Sequence, residues 1–469
     1  MKSEQLTDIR RTAPAMAISG DVKVSWKEKF SYGLGDTACN IVVALTASIL
    51  TFFYTDYIGI SVGTVGIIIL VSRLFDGASD VVMGLIVDRT HSKYGKARPW
   101  VLWMSVPYAI GCVLLFTVPP HASDMVKAIY IFITYNFIQT VCYTALNLPY
   151  SSLATLMTRN QYERGVINAI RMGLSPFGRI LATAATLPLV KVLGDDQEAW
   201  IMAAVLYGII ALILLLICFF NTKERVKLEK NTDSKVPVRT SLKALIKNKY
   251  WALGLLLWAM LSVYMTLSGT MLSYYSKWIL GDALLTSPLY IAEQVPGIAI
   301  IFLIPALLKR FSKRNLALGG AIISIVGQVP LVIDPTSYTL AMMASVFRGI
   351  GQAPLMGVVF SFIADSVEYG QWKTHLRLEG LIYSAASVGS KLGGGLTSAT
   401  LGLILSAAGY DGMLAMQSDA AIGAIIDLFV WGPIVVWGVT ALILLFHKLE
   451  KFYPVMMKDL AERESHGEL

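Results

Sequence analysis

Two carboxylates with an arginine beside them lie in the second apolar stretch of the sequence. Arg73, Asp76 and Asp80 are spaced by three and four residues, so a helix would place all three on one face. Two carboxylates about 6 Å apart in a medium of low dielectric constant cannot both stay ionised unless a cation, a proton or a basic side chain compensates one of them. The pattern predicts a site where binding of Na⁺ or H⁺ drives a change of shape. The alternative is a structural ion pair between Arg73 and one aspartate.

Five basic residues are predicted to lie within apolar spans: Arg73, Arg171, Arg179, Arg348 and Lys391. A charge at the centre of a membrane helix costs about 2.5 to 3.5 kcal/mol on insertion scales, so it persists when it is paired or faces water. Lys391 lies among the small residues 389–395, which allow close helix approach. We expect its ammonium group to reach Asp76 or Asp80 when no cation is bound. The alternative is that it extends toward the membrane surface.

Polar side chains also form stripes on two other apolar stretches. Tyr143, Asn147 and Ser151 repeat every four residues, and Asp36 and Asn40 do the same near the start of the sequence. Amides, hydroxyls and an aromatic ring are the groups that bind a sugar, through hydrogen bonds and an apolar face. The same groups also hold membrane helices together. The stripes therefore predict a sugar site, with helix association as the alternative.

Composition identifies the class of protein that must position these residues. Of 469 residues, 55% are hydrophobic and 15% are charged, and the mean hydropathy is +0.62, whereas soluble proteins have about a quarter charged residues. The sequence therefore predicts an all-α membrane protein with twelve transmembrane helices in a lipid bilayer. The apolar runs lie near 33–55, 64–87, 100–118, 128–150, 166–190, 200–220, 251–276, 288–308, 315–333, 339–363, 380–407 and 421–446.

The distribution of charge predicts orientation and domain organisation. The net charge is +8, but most Lys and Arg lie in the two ends and the even-numbered connections, which the positive-inside rule places in the cytoplasm. The excess therefore indicates membrane topology and not nucleic-acid binding. We predict a cytoplasmic N-terminal tail over 1–30, six-helix bundles over 31–220 and 251–446, a cytoplasmic linker over 221–250 and a cytoplasmic C-terminal tail over 447–469.

Several chemistries lack the residues they need. The cysteines lie in apolar stretches without partners at metal-binding spacing, which argues against disulfides and zinc. No nucleotide-binding loop, HExxH motif or nucleophile elbow is present. We therefore expect a transporter without a cofactor, and neither an enzyme nor an ATP-driven pump. Because one chain can enclose its own cavity, a monomer is predicted.

Motifs along nearly the whole chain resemble those of the glycoside-pentoside-hexuronide:cation symporters, the family of melibiose permease and the glucuronide carrier. They are SYGLGD at 31–36, FYTD at 53–56, RLFDGASD at 73–80, YGKARPW at 94–100, NLPY at 147–150 and DSVEYG at 365–370. The resemblance implies the major facilitator fold and cation-coupled symport of a glycoside by alternating access in a bacterial inner membrane. Gating or loop roles are assigned to Arg73, Asp88, Arg89, Asp365, Glu368 and Arg377.

The resemblance also implies roles at the cation site. Asp76 and Asp80 match the family's cation-site carboxylates, Thr144 matches a hydroxyl that assists them, and Lys391 matches a nearby lysine. Ser79 stands where melibiose permease has an asparagine tied to sodium selectivity, which favours H⁺ over Na⁺. The coupling ion is left open between the two.

At the sugar site the resemblance implies departures from melibiose permease. Asn40 and Asn147 stand where that protein has two aspartates, Ser151 and Met356 stand where it has tryptophans, and Arg171 matches an arginine near the sugar. Loss of two negative charges makes a cavity lined by Arg171 more favourable to an anion, since Coulomb energies at partly buried distances reach several kcal/mol. We therefore predict an acidic sugar, either a uronide or a sulfonated sugar.

Three alternatives remain at this stage. A neutral pentoside or hexoside could be carried by the same site. A lysophospholipid transporter of the same fold would need an apolar slot, which the polar stripes disfavour. A non-transporting sensor or scaffold would not require the set of Arg73, Asp76, Asp80 and Lys391.

Overall fold

The computed structural model describes residues 24–90, 92–158, 161–226, 243–374 and 379–466, which are mostly helical. The first six long helices are α1 (Trp26–Asp56), α2 (Val62–Asp88), α3 (Arg98–Leu114), α4 (Asp124–Met157), α5 (Gln161–Leu193) and α6 (Gln197–Asn221). The next six are α7 (Lys249–Trp278), α8 (Thr286–Leu307), α9 (Lys313–Ile333), α10 (Tyr338–Thr374), α11 (Glu379–Ala407) and α12 (Asp419–Phe446), and α13 (Leu449–His466) follows them.

Within the described ranges, nine helical stretches are long and apolar enough to cross a membrane. The other three long helices are α2, α3 and α11. Helix α3 has 17 residues, and α2 and α11 carry the ionisable residues Arg73, Asp76, Asp80 and Lys391. The all-α membrane class agrees with the sequence analysis, whereas the count of twelve spans stays a prediction.

The helices extend beyond the apolar runs at several ends. Helix α1 begins at Trp26, inside the predicted N-terminal tail, and α7 begins at Lys249, inside the predicted linker. The predicted C-terminal tail contains α13, whose Leu449 and Met456 are buried in a cluster with Tyr250 of α7. Hydropathy detects only the part of a helix that lies in the apolar layer, so polar first turns and the amphipathic α13 were missed.

Short polar residues start many of these helices. Their side chains accept a hydrogen bond from the backbone N–H three residues further on, which satisfies one of the free donors of the first turn. These residues are Ser25, Asp196, Asn248, Ser312 and Ser418.

Packing arranges α1 to α12 in two groups. In the first group, α1 packs on α5 and α6, and α3 packs on α6; in the second group, α10 packs on α8 and α9, and α7 packs on α11 and α12. The first group (α1 to α6) and the second group (α7 to α12) meet mainly along α2 with α11 and α5 with α8. The exact boundaries of the two predicted bundles remain a prediction.

One structural detail occurs in both groups. Glu224, just after α6, accepts hydrogen bonds of 2.7 to 2.8 Å from three consecutive N–H groups of residues 96–98 at the start of α3. Glu450, just after α12, accepts bonds of 2.7 and 3.3 Å from residues 313–314 at the start of α9. A carboxylate stabilises a helix N-terminus because it pairs with free N–H groups and with the positive end of the helix dipole. The pair α3 and α6 therefore corresponds to the pair α9 and α12.

Two of the described helices contain a short π-helical segment. These segments are Leu45–Ile49 in α1 and Phe137–Tyr143 in α4, and such segments are frequent at functional sites. They are joined by a hydrogen bond of 2.8 Å from the Gln139 amide to the Thr46 hydroxyl. Both segments border the sites described next.

Candidate functional site

A buried carboxylate ties the two groups together at the end of the molecule where α1 ends and α2 begins, called here the Asp56 end. The Asp56 side chain is 0% exposed and lies 2.5 Å from the ammonium of Lys277. It accepts hydrogen bonds from the hydroxyls of Tyr410, at 2.9 and 3.0 Å, and Thr55, at 2.6 Å. Thr55 in turn lies 2.9 Å from the hydroxyl of Tyr274. Burial and then the nearby Asp56 charge raise the pKa of Tyr410, so this phenol stays a hydrogen-bond donor.

The opposite end, where α1 begins with Glu28 in its first turn, is called the Glu28 end. Ion pairs at this end include two within the first group: Lys29 lies 2.8 Å from Glu163, and Arg225 lies 2.7 Å from Glu28. Hydrogen bonds and ion pairs join the two groups at the Asp56 end and further along the interior as far as the contact of Asp80 with Lys391. The interior is therefore closed at the Asp56 end.

Asp76 is buried and has two partners. Its carboxylate accepts hydrogen bonds from Arg73, at 3.2 Å, and from the hydroxyl of Thr140, at 2.6 Å. The π segment of α4 includes Thr140. The i,i+3 spacing that the sequence provided therefore forms a real ion pair between Arg73 and Asp76.

Asp80, one turn further along α2, contacts the ammonium of Lys391 across the interface with α11. The hydroxyl of Thr144 donates to the same carboxylate at 3.2 Å, and Ser79 donates to the carbonyl of Thr140 at 2.8 Å. The side chains of Lys391 and Asp80 are 23% and 30% exposed, so this ion pair is only partly buried. The structure brings together all five residues that the sequence analysis assigned to the cation site.

The described residues contain no group of three or more His, Cys, Asp or Glu side chains arranged to hold a metal ion. The oxygen atoms grouped at this site are those of the Asp76 and Asp80 carboxylates and of the Thr140 and Thr144 hydroxyls. Carboxylate and hydroxyl oxygens suit a hard cation. In this arrangement a bound cation can replace the Lys391 ammonium as the counter-charge of Asp80.

A second chain of polar contacts links α1 to α5. Asp36 pairs with Arg171, with both nitrogen-to-oxygen distances 2.9 Å. The Asn40 amide donates to Asp36 at 3.1 Å, and the Asn40 carbonyl accepts from Nε of Arg179 at 2.7 Å. The charge of Arg171 is therefore compensated by Asp36, whereas Arg179 contacts only the neutral amide in this cluster.

A cavity of about 320 Å³ lies between the two groups. It is bordered by α1, α2 and α5 on one side and by α7, α8, α10 and α11 on the other. Its lining includes Arg73, Arg179, Trp258, Glu293, Gln294 and Gln352. Sugar-binding sites combine charged, amide and aromatic groups in this way.

Glu293 contributes the carboxylate of this lining, and hydrogen bonds from neighbouring side chains fix its position. The hydroxyl of Tyr264 donates to it at 2.8 Å and that of Ser268 at 3.2 Å. The guanidinium of Arg348, which is 0% exposed, lies 3.6 Å away. Arg348 is thus the fourth of the five intramembrane cations of the sequence that has an acidic partner.

The predicted substrate residues lie outside this lining. Asp36, Asn40 and Arg171 form the cluster behind Arg179. On α4, Tyr143 and Asn147 are half-buried and Ser151 is exposed. Met356 is half-buried and packs against the hydrophobic core.

Sequence reasoning missed Glu293, Gln294 and Gln352, and it assigned no role to Arg179. The signal for Glu293 was present, because a carboxylate inside the apolar run 288–308 needs a partner as much as a cation does. The Asp56 network was likewise present only as part of the FYTD motif.

Of the predicted gating or loop residues, Arg73 lines the cavity, and Asp88, Arg89, Asp365 and Glu368 lie at the Glu28 end. Asp365 is buried and contacts the ammonium of Lys313, while Glu368 is half-buried on α10 and Arg89 is exposed after α2. Asp88 ends α2, but its side chain lies outside the described residues, as does Arg377.

Comparison with known proteins identifies a family and several relatives. The family model for MFS/sugar transport proteins matches residues 31–451. The chain is 36% identical to the isoprimeverose transporter of Lactiplantibacillus pentosus over 97% of this chain and 95% of that protein. It is 30% identical to the putative glycoside/cation symporter YagG of Escherichia coli (strain K12), over 91% and 93% of the two chains.

A solved structure has the same fold. The crystal structure of the nucleoside transporter NupG superposes with a TM-score of 0.60 at 15% sequence identity, covering 89% of this chain and 99% of that chain. At this level of identity the similarity concerns the fold alone.

Proposed function

Because the chain belongs to the MFS/sugar transport protein family, we propose that it is a cation-coupled glycoside symporter that works by alternating access. Membership of this family makes the chain a membrane transporter and not an enzyme, and it gives the chain the major facilitator fold. The resemblance to glycoside:cation symporters found in the sequence is confirmed by the relative named as one.

The contact of Asp80 with Lys391 carries this proposal. It joins α2 of the first group to α11 of the second through one pair of opposite charges that is only partly buried. Binding of a cation or proton at Asp80 would weaken its ion pair with Lys391, because a neutralised carboxylate no longer compensates the ammonium. Release of Lys391 would loosen the interface along which the two groups move.

The coupling ion is H⁺ or Na⁺. Oxygens of Asp76, Asp80, Thr140 and Thr144 are the ligands available for Na⁺. Ser79, which stands where melibiose permease has an asparagine, favours H⁺. Uptake in the presence of each gradient alone distinguishes the two.

We assign the Asp56 end to the outside of a bacterial inner membrane and both termini to the cytoplasm, with the chain acting as a monomer. The basic connections of the sequence support this orientation. The described structure then corresponds to the state that is closed to the outside, because Asp56, Lys277 and Tyr410 join the two groups there.

The substrate is a glycoside, and an acidic sugar is favoured over a neutral one. The interior holds the basic side chains Arg73, Arg171, Arg179, Arg348 and Lys391 against the carboxylates Asp36, Asp76, Asp80 and Glu293. One positive charge is left over, which an anionic substrate would compensate. A neutral pentoside or hexoside is the second candidate, since Glu293, Gln294 and Gln352 suit uncharged hydroxyls.

Uptake into proteoliposomes tests the proposed function. We expect the purified protein to accumulate a glycoside against its gradient when a Na⁺ or H⁺ gradient is imposed. The Asp80→Asn variant should lose accumulation but still exchange substrate down its gradient. Asp124→Asn, at an exposed helix start, is the matched control and should accumulate normally. Accumulation by Asp80→Asn equal to that of the wild type would overturn the coupling site, and failure of every sugar with both gradients would overturn symport.

A further inference from the structure

Arg179 differs from the other basic side chains of the interior. Arg73, Arg171, Arg348 and Lys391 each face a carboxylate. Among the described residues, Arg179 has the neutral Asn40 carbonyl as its hydrogen-bond partner, at 2.7 Å from Nε. It is half-buried and lines the cavity. The cavity is therefore bordered by a cation without an acidic counter-charge.

A guanidinium has five N–H donors in a planar fork, and the bond to Asn40 uses one of them. The bond to Asn40 also fixes the orientation of the group, which reduces the rotamer entropy lost on binding. Planar or three-oxygen anions such as carboxylate and sulfonate match the remaining donors with two parallel bonds. An uncompensated charge within a membrane span is costly, so an anion that enters the cavity gains from pairing with it.

The other side of the cavity offers acceptors. Glu293 is held in place by Tyr264 and Ser268, and each carboxylate oxygen can accept more than one hydrogen bond. Gln294 and Gln352, also in the lining, supply amide donors and acceptors. The cavity thus has a cationic side on α5 and a hydroxyl-binding side on α8 and α10.

We infer that Arg179 binds the carboxylate or sulfonate group of an acidic sugar, while Glu293, Gln294 and Gln352 bind its hydroxyls. This inference rests on the proposed glycoside symport and assigns the specificity of that same cavity. Arg171, the arginine that the sequence pattern favoured, is compensated by Asp36 and lies outside the lining. Arg171 therefore acts as a positioning residue that holds Asp36, and through it Asn40 and Arg179.

The test compares two ligands that differ at one carbon, methyl glucuronide with a carboxylate and methyl glucoside with a hydroxymethyl group. Binding to the purified full chain is measured by calorimetry and by ligand-induced thermal stabilisation. We expect the wild type to prefer the glucuronide. Arg179→Gln should weaken glucuronide binding by about 10- to 100-fold, the range for a lost hydrogen bond to a charged group, and glucoside binding by less than about threefold.

Asn40→Asp is a second variant that keeps the side-chain shape. It places a carboxylate against Nε of Arg179, so the charge is compensated from within and glucuronide binding should fall in the same selective way. Arg179→Lys keeps the charge but not the fork, and should retain part of the preference. Lys458→Gln removes a positive charge from a side chain that is 80% exposed and is the charge-matched control.

Two results would overturn the inference. One is a glucuronide affinity that stays unchanged in both Arg179→Gln and Asn40→Asp. The other is a wild-type protein that binds methyl glucoside or isoprimeverose as tightly as the glucuronide. In either case, uphill uptake of any glycoside would leave the proposed symport standing, so the two failures are distinguishable.

Discussion

Replacing Asp56 with asparagine should open the Asp56 end of the cavity. The carboxylate is fully buried, contacts Lys277 at 2.5 Å and accepts bonds from Tyr410 and Thr55. Lys277 and Tyr410 belong to the second group and Asp56 to the first. The contacts of Asp56 with Lys277 and Tyr410 therefore exist only while the two groups are together at this end. The substitution keeps the side-chain shape, removes the charge and leaves the Lys277 ammonium without its counter-charge.

Removal of one partner from a buried ion pair costs about 3 to 5 kcal/mol, because the remaining charge stays desolvated. The Lys277 side chain is 30% exposed, so the lower end of this range applies. In the open state water solvates Lys277, and the penalty falls on the closed state alone. A difference of about 3 kcal/mol corresponds to roughly a 100-fold shift of the equilibrium toward the open state.

Thiol labelling from the outside measures this shift. Ser262 lines the cavity, and the native cysteines are free but buried, so Ser262→Cys provides one reactive thiol. In right-side-out vesicles, a membrane-impermeant reagent should label Ser262→Cys slowly and the double variant with Asp56→Asn much faster. Asp334→Asn, at the same end, removes an exposed carboxylate that bonds only within its own loop and should leave the rate unchanged. Equal labelling rates with and without Asp56→Asn would refute the reasoning.

Three further variants test other parts of the structure. Lys391→Gln leaves Asp80 without its counter-charge, so we expect the affinity for the coupling cation, followed by thermal stabilisation, to rise about tenfold while uphill uptake is lost; an unchanged cation affinity would contradict the pairing. Glu224→Gln should lower the free energy of unfolding by about 1 kcal/mol through loss of charge at the start of α3, and an unchanged thermal midpoint would contradict this role. Gly178→Ala forces a methyl group against a backbone carbonyl of α1 and should destabilise the chain by about 1 to 3 kcal/mol, whereas Gly77→Ala, with open space around it, should not; equal stabilities would argue against the close packing of α5 on α1.

Local spacing made part of the cation site predictable. Arg73 and Asp76 are neighbours on any helix, so their contact required no knowledge of the fold. The contact of Asp80 with Lys391 is long-range, but a cation in a span needs a carboxylate. This requirement limited the expected partner of Lys391 to Asp76 or Asp80, and the structure places Asp80 in contact with it. The energetic cost of an unpaired charge therefore indicated a contact between helices that the local spacing of residues does not encode.

The sugar site could not be located in the same way. Arg171 and Arg179 lie eight residues apart on α5, and a helix places them on nearly the same face. Asp36 and Asn40 are one turn apart on α1, and they pair with Arg171 and Arg179 respectively. The position at which α1 crosses α5 therefore decides which arginine pairs with the carboxylate. The crossing is fixed by packing, including the close approach at Gly178, and no local pattern encodes it.

The π segments were also outside the reach of periodicity. In α1, the segment Leu45–Ile49 interrupts the 3.6-residue repeat without proline or glycine at that point. Its Thr46 side chain is engaged by Gln139 from the π segment of α4. A hydrogen bond between α1 and α4 thus joins the two π segments. The sequence of one segment does not indicate that the other exists.

The cation site and the cavity are linked through neighbouring residues, and this link gives symport a physical basis. Arg73 pairs with Asp76 and also lines the cavity, and Ser390, which lines the cavity, adjoins Lys391 in α11. A displacement of Lys391 from Asp80 would therefore shift a wall of the cavity. A cation bound at Asp80 also adds one positive charge to the interior, which strengthens the attraction of the cavity for an anionic sugar. Because coupling between two binding sites is reciprocal, the sugar must then favour cation binding by the same factor.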